Sequence, residues 1–292
     1  MDCRHFVWCA VALGALTAAS ACKKKATGSP GEVAAPADFD VEVSGNPFEG
    51  VRIFLPAYTN ADQARRRIEN ENPGEAALLS KIADTPQARW LGEWSGDVTI
   101  TVKNTINAAR SRKEVPLFIA YNIPNRDCGQ HSAGGAAEAT AYQTWIQGLA
   151  TGIGSDWRAI VVLEPDALGH LTQCLDERAQ AGRLAMLRQA VETLEALPGV
   201  RVYIDAGHSR WVPAEQMAER LKGAGIELAR GFALNTSNFI ADDELIGYGN
   251  DIAGRLGGDV HYIIDSSRNG NGAAPDNQWC NPPGRALGRR PA

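Results

Sequence analysis

Two stretches decide the fold: Val115-Pro-Leu-Phe-Ile-Ala-Tyr-Asn-Ile-Pro-Asn-Arg-Asp127 and Ile160-Val-Val-Leu-Glu-Pro-Asp166. Each begins as an apolar run of strand length and type, and each run breaks at a proline. A buried strand that ends in a polar loop is how an α/β barrel presents chemistry at its C-terminal face. Asp127 and Asp166 are therefore expected over the same mouth. Two carboxylates facing one cleft suit acid–base work, with glycoside hydrolysis the leading case.

Outward from these stretches the pattern repeats. Residues 51–55, 88–91, 117–121, 160–163, 200–204, 231–234 and 260–264 read as seven strands. Helical stretches fall between them, at about 60–70, 74–82, 97–112, 137–152, 176–197, 213–222 and 241–256, with Thr59 or Asn60 as a cap for the first. Strands and helices in alternation favour right-handed βαβ units. Polar residues follow nearly every strand, including Asp205, His208, Asn235 and Asp265. Residues 266–292 show no further strand or helix and are expected to be loose.

The chain has 292 residues and a formal net charge of −5. That length accommodates one barrel of about 250 residues. The charge argues against nucleic acid, which selects a basic face. Residues 1–21 read as a secretory signal, with Arg4 and His5 before an apolar run too short to span a membrane. Two cleavage readings stay open. Ala19-Ser20-Ala21 fits an ordinary small-x-small site; followed by Cys22, the same residues resemble a bacterial lipobox whose cysteine is lipidated. Residues 22–45 then read as a flexible tether, and 46–292 as the folded domain. The expected location is outside the cytoplasm, either at the cell surface through a lipid anchor or secreted.

Three cysteines remain in the body of the chain: Cys128, Cys174 and Cys280. In an oxidising compartment a Cys128–Cys174 bridge is natural, and it ties together the loops that follow the two aspartate strands. Cys280 is then expected as a free thiol. Taken singly, Asp127 and Asp166 read as turn or cap residues, and His208 and Trp211 as structural groups at a strand end. Trp90, Trp94, Trp211 and Trp279 fall in loops or at strand ends, where an indole suits either a sugar face or a lid. No HExxH, Walker loop or CxxC pair is present, so neither a metal nor a cofactor is expected.

Taken together, these motifs resemble glycoside hydrolase family 6, the cellobiohydrolases and endoglucanases. The block Tyr121-Asn-Ile-Pro-Asn-Arg-Asp-Cys-Gly129 with Ser132-Ala-Gly-Gly135 is similar to the first family signature. Residues 161–169, Val-Val-Leu-Glu-Pro-Asp-Ala-Leu-Gly, are similar to the second. Four further blocks, beginning at Asp205, Asn235, Asp265 and Trp279, follow in the same order. The resemblance implies a distorted, seven-stranded parallel (β/α) barrel, TIM-like, and inverting hydrolysis of β-1,4-glucan by a monomer. Asp166 matches the general acid. Asp127 matches the aspartate that raises the acid's pKa and helps order the water. Tyr121 matches the tyrosine beneath the distorted sugar. Trp90, Ser132, His208, Trp211, Asn235 and Trp279 match substrate-contacting positions, and Asp205 an acidic residue near the cleft.

The departure is at the C-terminus. Family members continue past the Trp-Cys-Asn-Pro-Pro block with a Lys, a Pro-Gly-Glu, an Asp that is the usual candidate base, and a cysteine. The barrel is therefore expected to be incomplete at that end, with the base unidentified. Endo action is expected, because a tunnel needs long roofing loops and this chain is short. A surface glucan-binding lipoprotein without turnover, or an inactive fragment, is the alternative.

Overall fold

The computed structural model describes residues 46–276 and 278–291. The expected signal and tether, with Cys22, lie outside the described residues. Among the described residues eight short strands and seven α-helices follow in the order β1 (Arg52–Ile53), α1 (Asn60–Ile68), α2 (Pro73–Ala83), β2 (Arg89–Leu91), α3 (Val98–Arg112), β3 (Glu114–Val115), β4 (Leu117–Ala120), α4 (Ala139–Ile153), β5 (Ala159–Leu163), α5 (Glu177–Glu195), β6 (Val200–Asp205), α6 (Ala214–Gly223), β7 (Gly231–Leu234), α7 (Asp242–Leu256) and β8 (His261–Ile264). Helix starts follow the side chains available. Thr59 accepts the Asp62 N–H, Asp97 that of Ile100 and Asp176 that of Ala179, each satisfying an otherwise orphaned donor.

All seven expected strands are present, and the third starts earlier than expected, at Glu114, with Pro116 interrupting it. Proline has no N–H for a ladder, yet its carbonyl still accepts the Ile160 N–H at 3.0 Å. The upper half, β4, joins a six-stranded parallel sheet in the order β2-β4-β5-β6-β7-β8. The lower half, β3, pairs with β1. Carbonyls of Pro116 and Ala120 face β5, whereas Val115 O accepts from Phe54 and the Tyr121 N–H reaches Leu91 O. Alternation along the strand thus puts β1 and β2 on the same flank, one below the other.

Strand order equal to chain order means that every crossover steps the same way. Crossovers of one hand then land the connecting helices α3 to α7 on one face of the sheet. Residues from α3 to α7 accordingly pack in a single core with Phe118, Val161, Leu163, Val202, Ile204 and Phe232. The alternate residues Ile119, Tyr121, Ile160, Val162 and Tyr203 form a smaller cluster on the opposite face, closed from below by Phe48, Val51 and Ile53. The strand sequence and the single helical layer are those of a TIM-like wind. Closure is not: among the described residues no pairing joins β8 to β1 or β2, so the sheet is open. Its margins are β2, of three residues, and β8, of four, each paired on one side within that sheet.

Two expectations about the C-terminal stretch are corrected. Residues beyond β8 are tied down: Asn269 and Ala286 form a parallel bridge, Arg285 donates to Asn271 O, and Arg289 pairs with Asp242 at 3.2 Å. Cys280 is disulfide-bonded rather than a free thiol.

Candidate active site

The C-terminal ends of the strands carry the polar residues, and the backbone there is contorted. Seven of the ten described non-glycine residues with positive φ lie in the loops after β4, β5 and β7: Asn125, Asp127, Cys128, Glu164, Asp166, Asn235 and Ser237. Such conformations cost on the order of 1–3 kcal/mol each and persist only where the surroundings over-determine them. Here they are over-determined by buried polar side chains. The Glu164 carboxylate, fully enclosed, accepts the N–H groups of Asn122 and Ile123 at 2.9–3.0 Å. Burial pushes its carboxyl up to about 7, against the pull of those donors. Arg183 of α5 donates to Pro124 O and Asn125 O, both at 2.9 Å. Arg220 of α6 donates to the carbonyls of Leu168 and Gly169. Two helices thus clamp the loops after the aspartate strands from behind.

The loop after β4 winds around Arg126. Its guanidinium forms a bidentate pair with Glu93 at 2.7 and 2.9 Å and donates to Tyr121 O and Ser132 O, both at 2.7 Å. It also lies over the rings of Trp94 and Tyr121. The chain must pass close to this hub, which explains the glycine pair: a Cβ on Gly134 falls 2.3 Å from Glu93 Oε1, and one on Gly135 falls 2.0 Å from Ile123 O. The expected Cys128–Cys174 disulfide then ties this loop to the one after β5.

This frame brings Asp127, Asp166 and Tyr121 together. Tyr121 Oη lies 3.4 Å from Asp166 Oδ2, longer than a full hydrogen bond. Burial raises the proton affinity of Asp166 above the ordinary aspartate range, and the Asp127 charge raises it further. Tyr121 is likewise driven up by burial, then by Asp166 and Asp127. Asp127 is held at both oxygens: Oδ2 accepts the Ser132 N–H at 2.6 Å, and Oδ1 lies 3.2 Å from His170 Nε2. Asp205, at the end of β6, supports the floor. Its Oδ1 accepts the N–H groups of Asp166 and Gly207, and its Oδ2 the Thr236 hydroxyl at 2.7 Å. It too is raised, by burial first and then by Asp166.

The aromatic candidates surround this cluster. Trp90 meets Tyr121 edge-on at 5.4 Å. Trp211 packs over Gly169 and Gly207, with its ring 4.7 Å from His170 and 5.7 Å from His208. Burial lowers His208 to about 4, so its imidazole is neutral at physiological pH. Trp279 is 54% exposed and meets His131 of the Ser132 loop at 5.1 Å. Asn235 is 0% exposed; its Oδ1 accepts the Ile240 N–H and its Nδ2 donates to Asp265 O at 2.8 Å. These bonds hold the loop after β7. Sequence reasoning missed the Arg126–Glu93 hub, Glu164, Arg183 and His170. Arg126, Glu164 and His170 lie inside or beside the two signatures, whereas Glu93 and Arg183 come from other elements and carried no signal.

The model of the family described as glycosyl hydrolases family 6 matches residues 48–292. Endoglucanase 1 of Streptomyces halstedii is 44% identical over 240 residues, which is 79% of this chain and 74% of that protein. Endoglucanase A of Cellulomonas fimi is 45% identical over 219 residues, or 74% of this chain and 46% of the relative's own length. The solved structure of the endoglucanase Cel6 from Mycobacterium tuberculosis, in complex with methyl-cellobiosyl-4-deoxy-4-thio-β-D-cellobioside, superimposes with a TM-score of 0.80. It is 44% identical, with 85% of this chain and 84% of that one covered.

Proposed function

This chain belongs to glycosyl hydrolases family 6, and from that premise we propose that it hydrolyses β-1,4-glucosidic bonds within chains of cellulose or a related β-glucan, with inversion. The observation that carries the reading is the state of Asp166. A carboxyl buried against a second carboxylate keeps its proton toward neutral pH, which is what a general acid requires. Asp166 gives that proton to the leaving glycosidic oxygen. Asp127 keeps Asp166 protonated through its charge and orients the water. Tyr121 supports the distorted sugar beside the acid. Trp90, His208, Trp211, Asn235 and Trp279, with Ser132 on its loop, are the proposed glucan contacts. The water adds to the opposite face of the anomeric carbon, so the configuration inverts.

Within-chain cleavage is favoured by the two endoglucanases at 44% and 45% identity. The remaining proposals concern placement: residues 1–21 direct export, residues 22–45 tether the catalytic domain 46–292, and Cys22 carries the lipid if the anchor exists. The chain acts as a monomer.

Carboxymethyl-cellulose tests the activity. Viscosity is expected to fall steeply while few reducing ends appear. Release of cellobiose without loss of viscosity contradicts the endo mode. Calorimetric binding of cello-oligosaccharides with no bond cleaved favours the non-catalytic reading.

A further inference from the structure

His170 lies outside every role assigned so far, yet it touches the acid–base cluster. It follows Asp166 by one helical turn, its N–H donating to Asp166 O at 2.9 Å. Its ring reaches across to the loop after β4, where Nε2 lies 3.2 Å from Asp127 Oδ1. Its other nitrogen, Nδ1, lies 2.6 Å from Gln173 Oε1. With the amide of Gln173 placed so that its oxygen meets the ring, Nδ1 is the donor of this pair. Nε2 and a carboxylate oxygen are then both acceptors unless one proton lies between them. The ring has little freedom to turn away. Trp211 meets it edge-on at 4.7 Å, and the Cys128–Cys174 bridge closes the turn behind it, with Cys128 Sγ 3.9 Å from His170 O. The other titratable groups around it are Asp166, one turn back, and His208, on the far side of Trp211.

We propose that His170 is the positioning residue for Asp127: it holds that carboxylate through one shared proton in the orientation facing Asp166, with Gln173 fixing which ring nitrogen serves. The proposal rests on the acid–base reading of Asp166 above. Its consequence is electrostatic. A proton on Nε2 partly offsets the Asp127 charge and so moderates how far that charge raises Asp166. Ser132 N–H and His170 Nε2 grip opposite oxygens of Asp127, so losing the histidine frees the carboxylate to rotate.

Two variants separate positioning from packing. His170→Gln places an amide N–H near the position of Nε2 but cannot titrate. It is expected to keep kcat within about threefold and to move the basic limb of kcat/KM upward by about half a pH unit or more, because Asp166 then faces an uncompensated carboxylate. His170→Phe keeps a ring against Trp211 with no proton to share. It is expected to lose about tenfold or more in kcat with KM nearly unchanged, since a misplaced carboxylate affects the transition state more than binding. A wild-type pH profile in both variants, with any loss of rate tracking the fraction unfolded, overturns the proposal. A second readout needs no turnover and so survives failure of the glucanase reading. Nitrogen NMR of the His170 ring at mildly acidic pH should find protons on both nitrogens in the wild type, and a displaced or missing Nε2 proton in Asp127→Asn. A ring protonated on one nitrogen only, and identical in the two proteins, overturns it as well.

Discussion

Asp166 bears a cost that its chemistry explains. An aspartate whose folded proton affinity exceeds its unfolded one stabilises the fold only while protonated. That contribution is whole at low pH and is lost as pH rises from the ordinary aspartate range through the raised one. At neutral pH the ionised form sits poorly solvated beside Asp127. Asp166→Asn is therefore expected to be more stable than wild type at pH 8, by on the order of 1–2 kcal/mol, with the gap closing toward pH 4. The same variant should lose at least about a hundredfold in kcat on unactivated glucan and much less on aryl glycosides, whose good leaving groups need little protonation. Thermal melts at the two pH values, read with the two substrates, check both halves. A less stable variant at pH 8, or full activity on cellulose, contradicts the assignment. This residue was legible in the sequence because a strand-ending Glu-Pro-Asp announces itself. The burial of Asn235 was not legible, because its motif gives the position but not the direction of the side chain.

At the scale of elements, the site is two strained loops held by three fasteners: the Arg126–Glu93 hub, the arginines of α5 and α6, and the Cys128–Cys174 disulfide. The disulfide closes a separation of 46 residues, for which loop entropy in the unfolded chain gives about 4 kcal/mol. Cys128→Ser with Cys174→Ser is expected to lower stability by about 2–4 kcal/mol. It should also reduce kcat more than KM, because Cys128 adjoins Asp127 and Cys174 adjoins Gln173. Chemical denaturation and steady-state kinetics measure the two effects. Unchanged stability would show that the arginines alone suffice. The bridge was readable from cysteine spacing and compartment. The arginines were not, because a guanidinium capping a distant loop leaves no periodic trace. Arg183 and Arg220 read as ordinary polar residues of amphipathic helices, although both are buried.

For the molecule as a whole, apolar runs and turn residues were enough to place seven strands and seven helical stretches and to favour right-handed βαβ units. Closure was not legible. It depends on whether marginal strands have ladder groups left for each other, and that is a property of three-dimensional register. The result is a parallel sheet whose strand ends collect Asp127, Asp166 and Asp205 around Tyr121 in an open mouth. The central claim is that this cluster cleaves β-1,4-glucan by a single displacement with Asp166 as the acid. The most direct measurement follows cellotetraose hydrolysis by proton NMR, from the first turnovers, for wild type and Asp166→Asn together. The account predicts that the new reducing end appears first as the α anomer in the wild type and not at all in Asp166→Asn on the same timescale. A β anomer appearing first, or equal rates in the two proteins, would contradict it.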